Sequence, residues 1–156
     1  MLVIKIDGSK MFVDNKNFVC VNCQKEVRYS IEMATAHRNH CNSCLWSRHV
    51  DEKTGDRMAV CHEGMKPIGL TLKEAGNDRY GKKKKGELML VHQCVGCGKI
   101  SINRIAADDD EKVILDIFHG SGKIEGKMKK QLKKSGIEIL DQSFADEVQR
   151  QLYGDI

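Results

Sequence analysis

With 156 residues, 40% of them hydrophobic and only 5% aromatic, the chain can fill one core but not two independent lobes. A formal net charge of +4 is too small to mark a nucleic-acid binder by itself. No stretch approaches eighteen apolar residues, which excludes a transmembrane helix.

The opening "MLVIKIDGSK" lacks the basic start and cleavage pattern of a secretory leader, so the chain is expected in the reducing cytoplasm. Residues 2–6 read as a strand, and "DGS" followed by "MFV" as the turn and return of a hairpin. "FVCVNCQKEV" reads as a strand, a Cys-x-x-Cys turn and a strand. Residues 30–80 hold the single proline, Pro67, and several glycines. They are expected to be irregular, metal-tied backbone with at most a short helix after Cys41. "GKKKKG", residues 81–86, reads as a solvated loop, and "ELMLVHQCVGCGKISINRI" repeats the strand, turn, strand pattern. Three helices are predicted in the remainder. The first is "ADDDEKVILDIFHG"; the second is "GKIEGKMKKQLKKSG", ending at Gly136. The third is "DQSFADEVQRQLYG", with Ser143 and Asp146 as a capping box.

The cysteines give the strongest pattern. Cys20 with Cys23, Cys41 with Cys44 and Cys94 with Cys97 form three Cys-x-x-Cys pairs, and Cys61 stands apart. An odd number of thiols fits a disulfide framework poorly, and paired thiols at this spacing suit a tetrahedral metal site. The seventeen residues between Cys23 and Cys41 match the separation at which two pairs share one zinc ion. Cys94 and Cys97 then take Cys61 and one histidine: His49, His62 or His92. His49 is preferred, because a bent chain beyond Cys44 can return it, whereas His62 adjoins Cys61 and points the other way on an extended chain. In the other pairing, Cys20 and Cys23 join Cys94 and Cys97, leaving Cys41, Cys44, His49 and Cys61 together. Spacing does not separate the two; the ligand set is the same. Zinc is favoured over iron by the histidine and the sequence separations. With every cysteine a thiolate on two zinc ions, the net charge falls to about +1. None of the pairs follows a strand and opens a helix, as a thioredoxin-like redox site does.

"RNHC" at 38–41, "LWSRHVD" and "GDR" at 55–57 resemble the RNHCP family, named for an Arg-Asn-His-Cys-Pro string. "FVCVNCQKEV", "CHEGMKPIG", "GELMLVHQCVGCG", "NRIAADDD" and "VQRQLYG" extend the resemblance over nearly the whole chain. Asn42 stands where the family string has proline, and the ligand Cys41 is kept. The resemblance implies zinc binding and carries no established activity.

The expected architecture is α+β. A small zinc-ribbon or treble-clef-like β and loop domain, residues 1–107, holds two zinc sites, and a helical extension follows at 108–156. The leading functional expectation is a zinc-stabilised, non-catalytic module bound to RNA or the ribosome in translation. Lys82, Lys83, Lys84 and Lys85 form its basic loop. Lys123, Lys127, Lys130 and Lys134 fall on one side of the second helix, with Ile124, Met128 and Leu132 on another. Trp46, Tyr29 and Tyr80 are candidates for base stacking, although Trp46 suits a core position sheltering the zinc. The alternative from another class is a metal-dependent nuclease. "HRNHC" resembles the histidine–asparagine–histidine nucleases, with His37, Asn39 and His40 at the centre and Asp51 as ligand or base. A protein-interaction adaptor using the helical tail is a third. In the structural reading of this stretch, Arg38, Asn39 and Asp51 bond sulfurs, loop carbonyls or Arg57.

Overall fold

The computed structural model of the chain describes residues 2–6, 9–13, 17–28, 40–53, 56, 58–74, 76–83 and 86–154. Strands β1 (Leu2–Ile6) and β2 (Ser9–Val13) pair antiparallel, Leu2 opposite Val13 and Ile6 opposite Ser9. β3 (Phe18–Val19) and β4 (Glu26–Val27) flank the first Cys-x-x-Cys turn. β5 (Ser47–Arg48), β6 (Gly64–Lys73), β7 (Glu87–Cys94) and β8 (Ile100–Arg104) form one antiparallel sheet in that order. Helices α1 (Glu111–Gly120), α2 (Lys127–Lys134) and α3 (Ala145–Tyr153) follow. The chain is thus a small α+β protein. Among the described residues no helix is long and apolar enough to cross a membrane.

The long strand β6 lies inside the stretch expected to be irregular. Its sequence, "GMKPIGLTLK", carries a proline and two glycines, which hide a strand from pattern reading. The structure places Pro67 and Gly69 at a bulge, where the register with β7 shifts, and Gly64 at the strand's start opposite Arg48. Proline lacks a ladder donor and glycine lacks a side chain, so both belong where pairing slips. A Cβ on Gly69 would stand 3.0 Å from Ile139, so glycine lets the segment after α2 lie against the strand. Leu140 N then donates to Leu70 O, and the Thr71 hydroxyl donates to Glu138 O. No helix follows Cys41; residues 42–44 are a turn.

α1 begins as its sequence predicts, with the Asp110 carboxylate accepting from Val113 N. α2 starts later than expected. Gly126, at φ 66°, interrupts the chain, so Lys123 and Ile124 precede the helix and only Met128 and Leu132 of the apolar stripe lie on it. The Ser143 capping box does not form. Asp141 accepts from Ser143 N instead and caps the single turn Gln142–Phe144 ahead of α3.

Helices α1 and α3 share one core with the sheet. Ile114 and Phe118 of α1, Val148 of α3 and Leu140 ahead of α3 pack with Leu70, Leu88 and Leu90 of the sheet and with Leu45. Gln151 of α3 accepts from Leu88 N and donates to Gly86 O, pinning the helix to the start of β7. Phe118→Ala is therefore expected to destabilise the sheet and helices together by about 3–5 kcal/mol. Chemical denaturation followed at Trp46 and by far-ultraviolet dichroism checks this: a sheet transition left unmoved would show a tail that folds separately.

Candidate metal centres

All three Cys-x-x-Cys turns close in one way. Cys20 N donates to Lys25 O and Gln24 N to Cys20 O. Cys41 with Trp46 and Leu45, and Cys94 with Lys99 and Gly98, repeat both bonds. In each the residue after the second cysteine is left-handed: Gln24 at φ 64°, Leu45 at φ 63°, Gly98 at φ 79°. Only the third uses glycine, for which this conformation is free of strain. Gln24 and Leu45 each sacrifice about 1 kcal/mol or more to hold it. Such a knuckle aims backbone N–H groups at sulfur: Asn22 N lies 3.4 Å from Cys20 Sγ and Ser43 N 3.4 Å from Cys41 Sγ.

Folding brings the cysteines into two tetrads. Cys20, Cys23, Cys41 and Cys44 form one; His49, Cys61, Cys94 and Cys97 form the other. In each, the four ligand atoms lie within 4.8 Å of one another. This is the first of the two pairings that spacing left open. Cys20 and Cys41 are buried together with Val27 of β4, and Phe18 of β3 and Trp46 pack against them.

The geometry fits zinc. Zn–S bonds of about 2.3 Å in a tetrahedron put sulfurs about 3.8 Å apart, and sulfur and nitrogen about 3.6 Å apart. Cys20 and Cys44 sulfurs are 3.4 Å apart, Cys23 and Cys41 3.7 Å, Cys61 and Cys94 3.7 Å. Cys97 Sγ is 3.3 Å from His49 Nδ1. None of the seven cysteines is in a disulfide. Two tetrads of this composition suit two zinc ions.

The thiols also divide electrostatically. The amide of Lys25 holds Cys23 down at about 7. Burial opposes ionisation of Cys94, yet the Cys97 and Gly96 amides outweigh it and bring that thiol to about 7. Burial pushes Cys44 up to about 12 and raises Cys41. Four thiolates cannot share so small a volume unaided; a divalent cation supplies the missing charge.

His49 is buried at 3% exposure and faces the tetrad through Nδ1. His62 is exposed, its backbone left-handed at φ 55° rather than extended. His92 is fully buried, donating from Nε2 to Leu45 O at 2.6 Å and accepting from Asn103 at Nδ1. Burial lowers its pKa to about 3, so it stays neutral.

His40 is 2% exposed, and its Nε2 donates to Asp109 Oδ2 at 2.7 Å. The same carboxylate oxygen accepts from Ala106 N. One residue on either side the clasp continues: Asn42 donates to Asp108, and Asp110 N donates to Asn42 O. So "HCN", residues 40–42, grips "DDD" at the start of α1. Sequence reasoning took those aspartates as a helix start only; their pairing with His40 has no local signature, since 69 residues separate the partners. A histidine buried so fully offers no face to a scissile phosphate. His37, Arg38, Asn39, Arg57 and Tyr29 lie outside the described residues. Asp51 stands beside His49 in the wall of a cavity, and its backbone oxygen accepts from Lys99.

Of the candidate nucleic-acid residues, Lys82, Lys83, Lys127, Lys130 and Lys134 are exposed. Lys84 and Lys85 lie outside the described residues. Tyr80 is 75% exposed, with the Arg79 guanidinium 4.9 Å over its ring. Trp46 packs half-buried against Cys20, Val27 and Cys41.

These features define a compact α+β protein organised round two cysteine-rich zinc sites. The chain belongs to the RNHCP family: the family's RNHCP domain matches residues 15–115, a span that includes all eight candidate ligands. No curated protein and no solved structure matches it.

Cys23→Ser and Cys97→Ser are each expected to reduce bound zinc from two ions to one, read by native mass spectrometry. Asp109→Ala is expected to keep both ions but lose about 3–5 kcal/mol in denaturant unfolding, because it removes the buried carboxylate that accepts from His40 and from Ala106 N. A variant as stable as the parent would remove the clasp from the account.

Proposed function

We propose that the chain is a zinc-stabilised, non-catalytic binding module for RNA, in the cytoplasm and in association with the ribosome or another structured RNA. One observation carries this reading. α2 presents Lys127, Lys129, Lys130, Lys133 and Lys134, all exposed, and among the described residues none of them forms an ion pair. A lysine face that merely solvates a helix is free to fray. This one is anchored: Leu132 is buried, and Gln131 donates to Gly98 O on the third knuckle and accepts from Gln93. The second metal centre thereby sets the position of a basic surface. Fixed positive charge releases counterions from a phosphate backbone at little ordering cost. The exposed Lys82 and Lys83, in the turn closed by the bridge between Asn77 and Lys83, supply a second basic site.

The combined variant Lys127→Ala, Lys130→Ala, Lys134→Ala is expected to weaken binding to single-stranded RNA oligonucleotides. The slope of log K against log salt should become shallower by about 2, three phosphate contacts at about 0.7 each. Fluorescence anisotropy across a salt series reads it. Equal slopes in parent and variant would reject the lysine face, and a chain that co-purifies with protein and no RNA would favour the adaptor.

A further inference from the structure

Among the described residues β8 is the last strand of the main sheet and pairs only with β7. The third knuckle fixes which of its backbone groups that pairing uses. Cys94 N donates to Lys99 O, so those two residues are a hydrogen-bonded pair of the antiparallel ladder. Bonded and non-bonded pairs alternate along such a ladder. The register runs unbroken from Gln93 opposite Ile100 to Met89 opposite Arg104. Ser101 and Asn103 therefore turn their backbone N–H and C=O to β7, and Ile100, Ile102 and Arg104 turn theirs outward. Among the described residues those outward groups make no hydrogen bond. An edge in this state is a template for one more strand.

There is room beside this edge. Ile100, Ser101, Ile102 and Asn103 all line one cavity of about 480 Å³, and no residue of β7 does. Consecutive strand residues face opposite sides of a sheet, so a cavity that touches all four runs past the outer edge. Ile137 adds apolar surface to it. Arg48 and Lys53 stand in its wall, both exposed and neither in an ion pair among the described residues. Asp51 in the same wall offsets one of them, and Lys99 is taken up by Glu52. One cation is left for a carboxylate on the occupant. A second copy of this edge does not supply it: the stretch from Lys99 to Arg104 holds those two cations and no acidic residue.

We propose that β8 is a docking edge for an extended segment of a partner protein, which joins the sheet as a further strand. The main chain of that segment bonds Ile100, Ile102 and Arg104. A branched apolar side chain lies against Ile102 and Ile137, and a carboxylate meets Arg48 or Lys53. The edge works through backbone groups, so it stands whether or not the α2 lysines bind RNA.

The test uses the zinc-loaded, 15N-labelled full chain and two blocked peptides, Glu-Val-Thr-Val-Glu and Lys-Val-Thr-Val-Lys. Without peptide, the amides of Ile100, Ile102 and Arg104 are expected to exchange with solvent faster than those of Ser101 and Asn103. The acidic peptide at millimolar concentration is expected to shift the three outward amides saturably and to slow their exchange; the basic peptide is not. Ile102→Pro removes one outward donor and no ladder bond. It is expected to hold two zinc ions in native mass spectrometry and to bind the acidic peptide about tenfold more weakly. Arg48→Glu with Lys53→Glu is expected to keep both ions and to reverse the preference between the peptides. No saturable shift with the acidic peptide overturns the docking edge, as does equal binding of both peptides or binding undiminished in Ile102→Pro. Slow exchange of all five amides in the parent chain overturns the open edge itself. Self-association in the ultracentrifuge that Ile102→Pro abolishes assigns the edge to a second copy. Outward amides that answer a single-stranded RNA oligonucleotide and not the peptide assign it to RNA; either result rejects the protein segment.

Discussion

Four sulfurs gathered within 4.8 Å need a cation between them, and the Cys20–Cys44 tetrad makes that need a condition for the rest of the fold. Its second knuckle is the node. Cys41 is a candidate ligand, and its neighbour His40 is clasped to Asp109 ahead of α1. Leu45, held left-handed by the knuckle, is wholly buried in the main core beside Leu70, Leu90 and Phe118. The carbonyl of Leu45 accepts from His92 at the centre of the sheet. One turn of six residues therefore ties a metal site, a helix start, the sheet and the core. A chain with few aromatics gains from such a tie what a larger apolar core would otherwise provide.

The second tetrad is built differently. Its ligands come from the residue after β5, the segment before β6, the end of β7 and the β7–β8 turn, so it ties together strand ends of one sheet. It is more open to solvent, with Cys97 exposed where the first tetrad is buried or half-buried. Its outer side bears on Gln131, and through it on α2. The first centre thus organises the interior, and the second governs what the surface presents. The family match ends at residue 115, inside α1, so the lysine helix lies beyond the shared domain while resting on it.

How much could be read beforehand follows from how local each cause is. The first hairpin, the strands either side of the first and third Cys-x-x-Cys turns and the acidic start of α1 depend on neighbours a few residues apart, and pattern reading finds them. Strand β6 was hidden, because Pro67 and Gly69 read as breakers until β7 shows that they occupy a bulge. α2 was drawn too long, because the run from Lys123 to Lys134 has helical spacing and only the backbone at Gly126 ends it. Asp141 displaced Ser143 as the cap, a competition between adjacent polar side chains that composition does not decide.

The sequence by itself determined the chemistry of this protein: soft ligands in three pairs and one single cysteine, an eighth ligand from imidazole, and a lysine-rich helix near the end. Ligand type and spacing within a turn are local properties, and they follow from which residues are present. Tertiary structure alone decided which pairs share a centre, since that depends on sheet order between segments dozens of residues apart. It also decided that His40 belongs to a buried clasp with Asp109, and that His49 turns its second nitrogen away from the sulfurs. Those assignments depend on burial and on long-range partners, and a buried polar atom shows its need only when everything round it is in place.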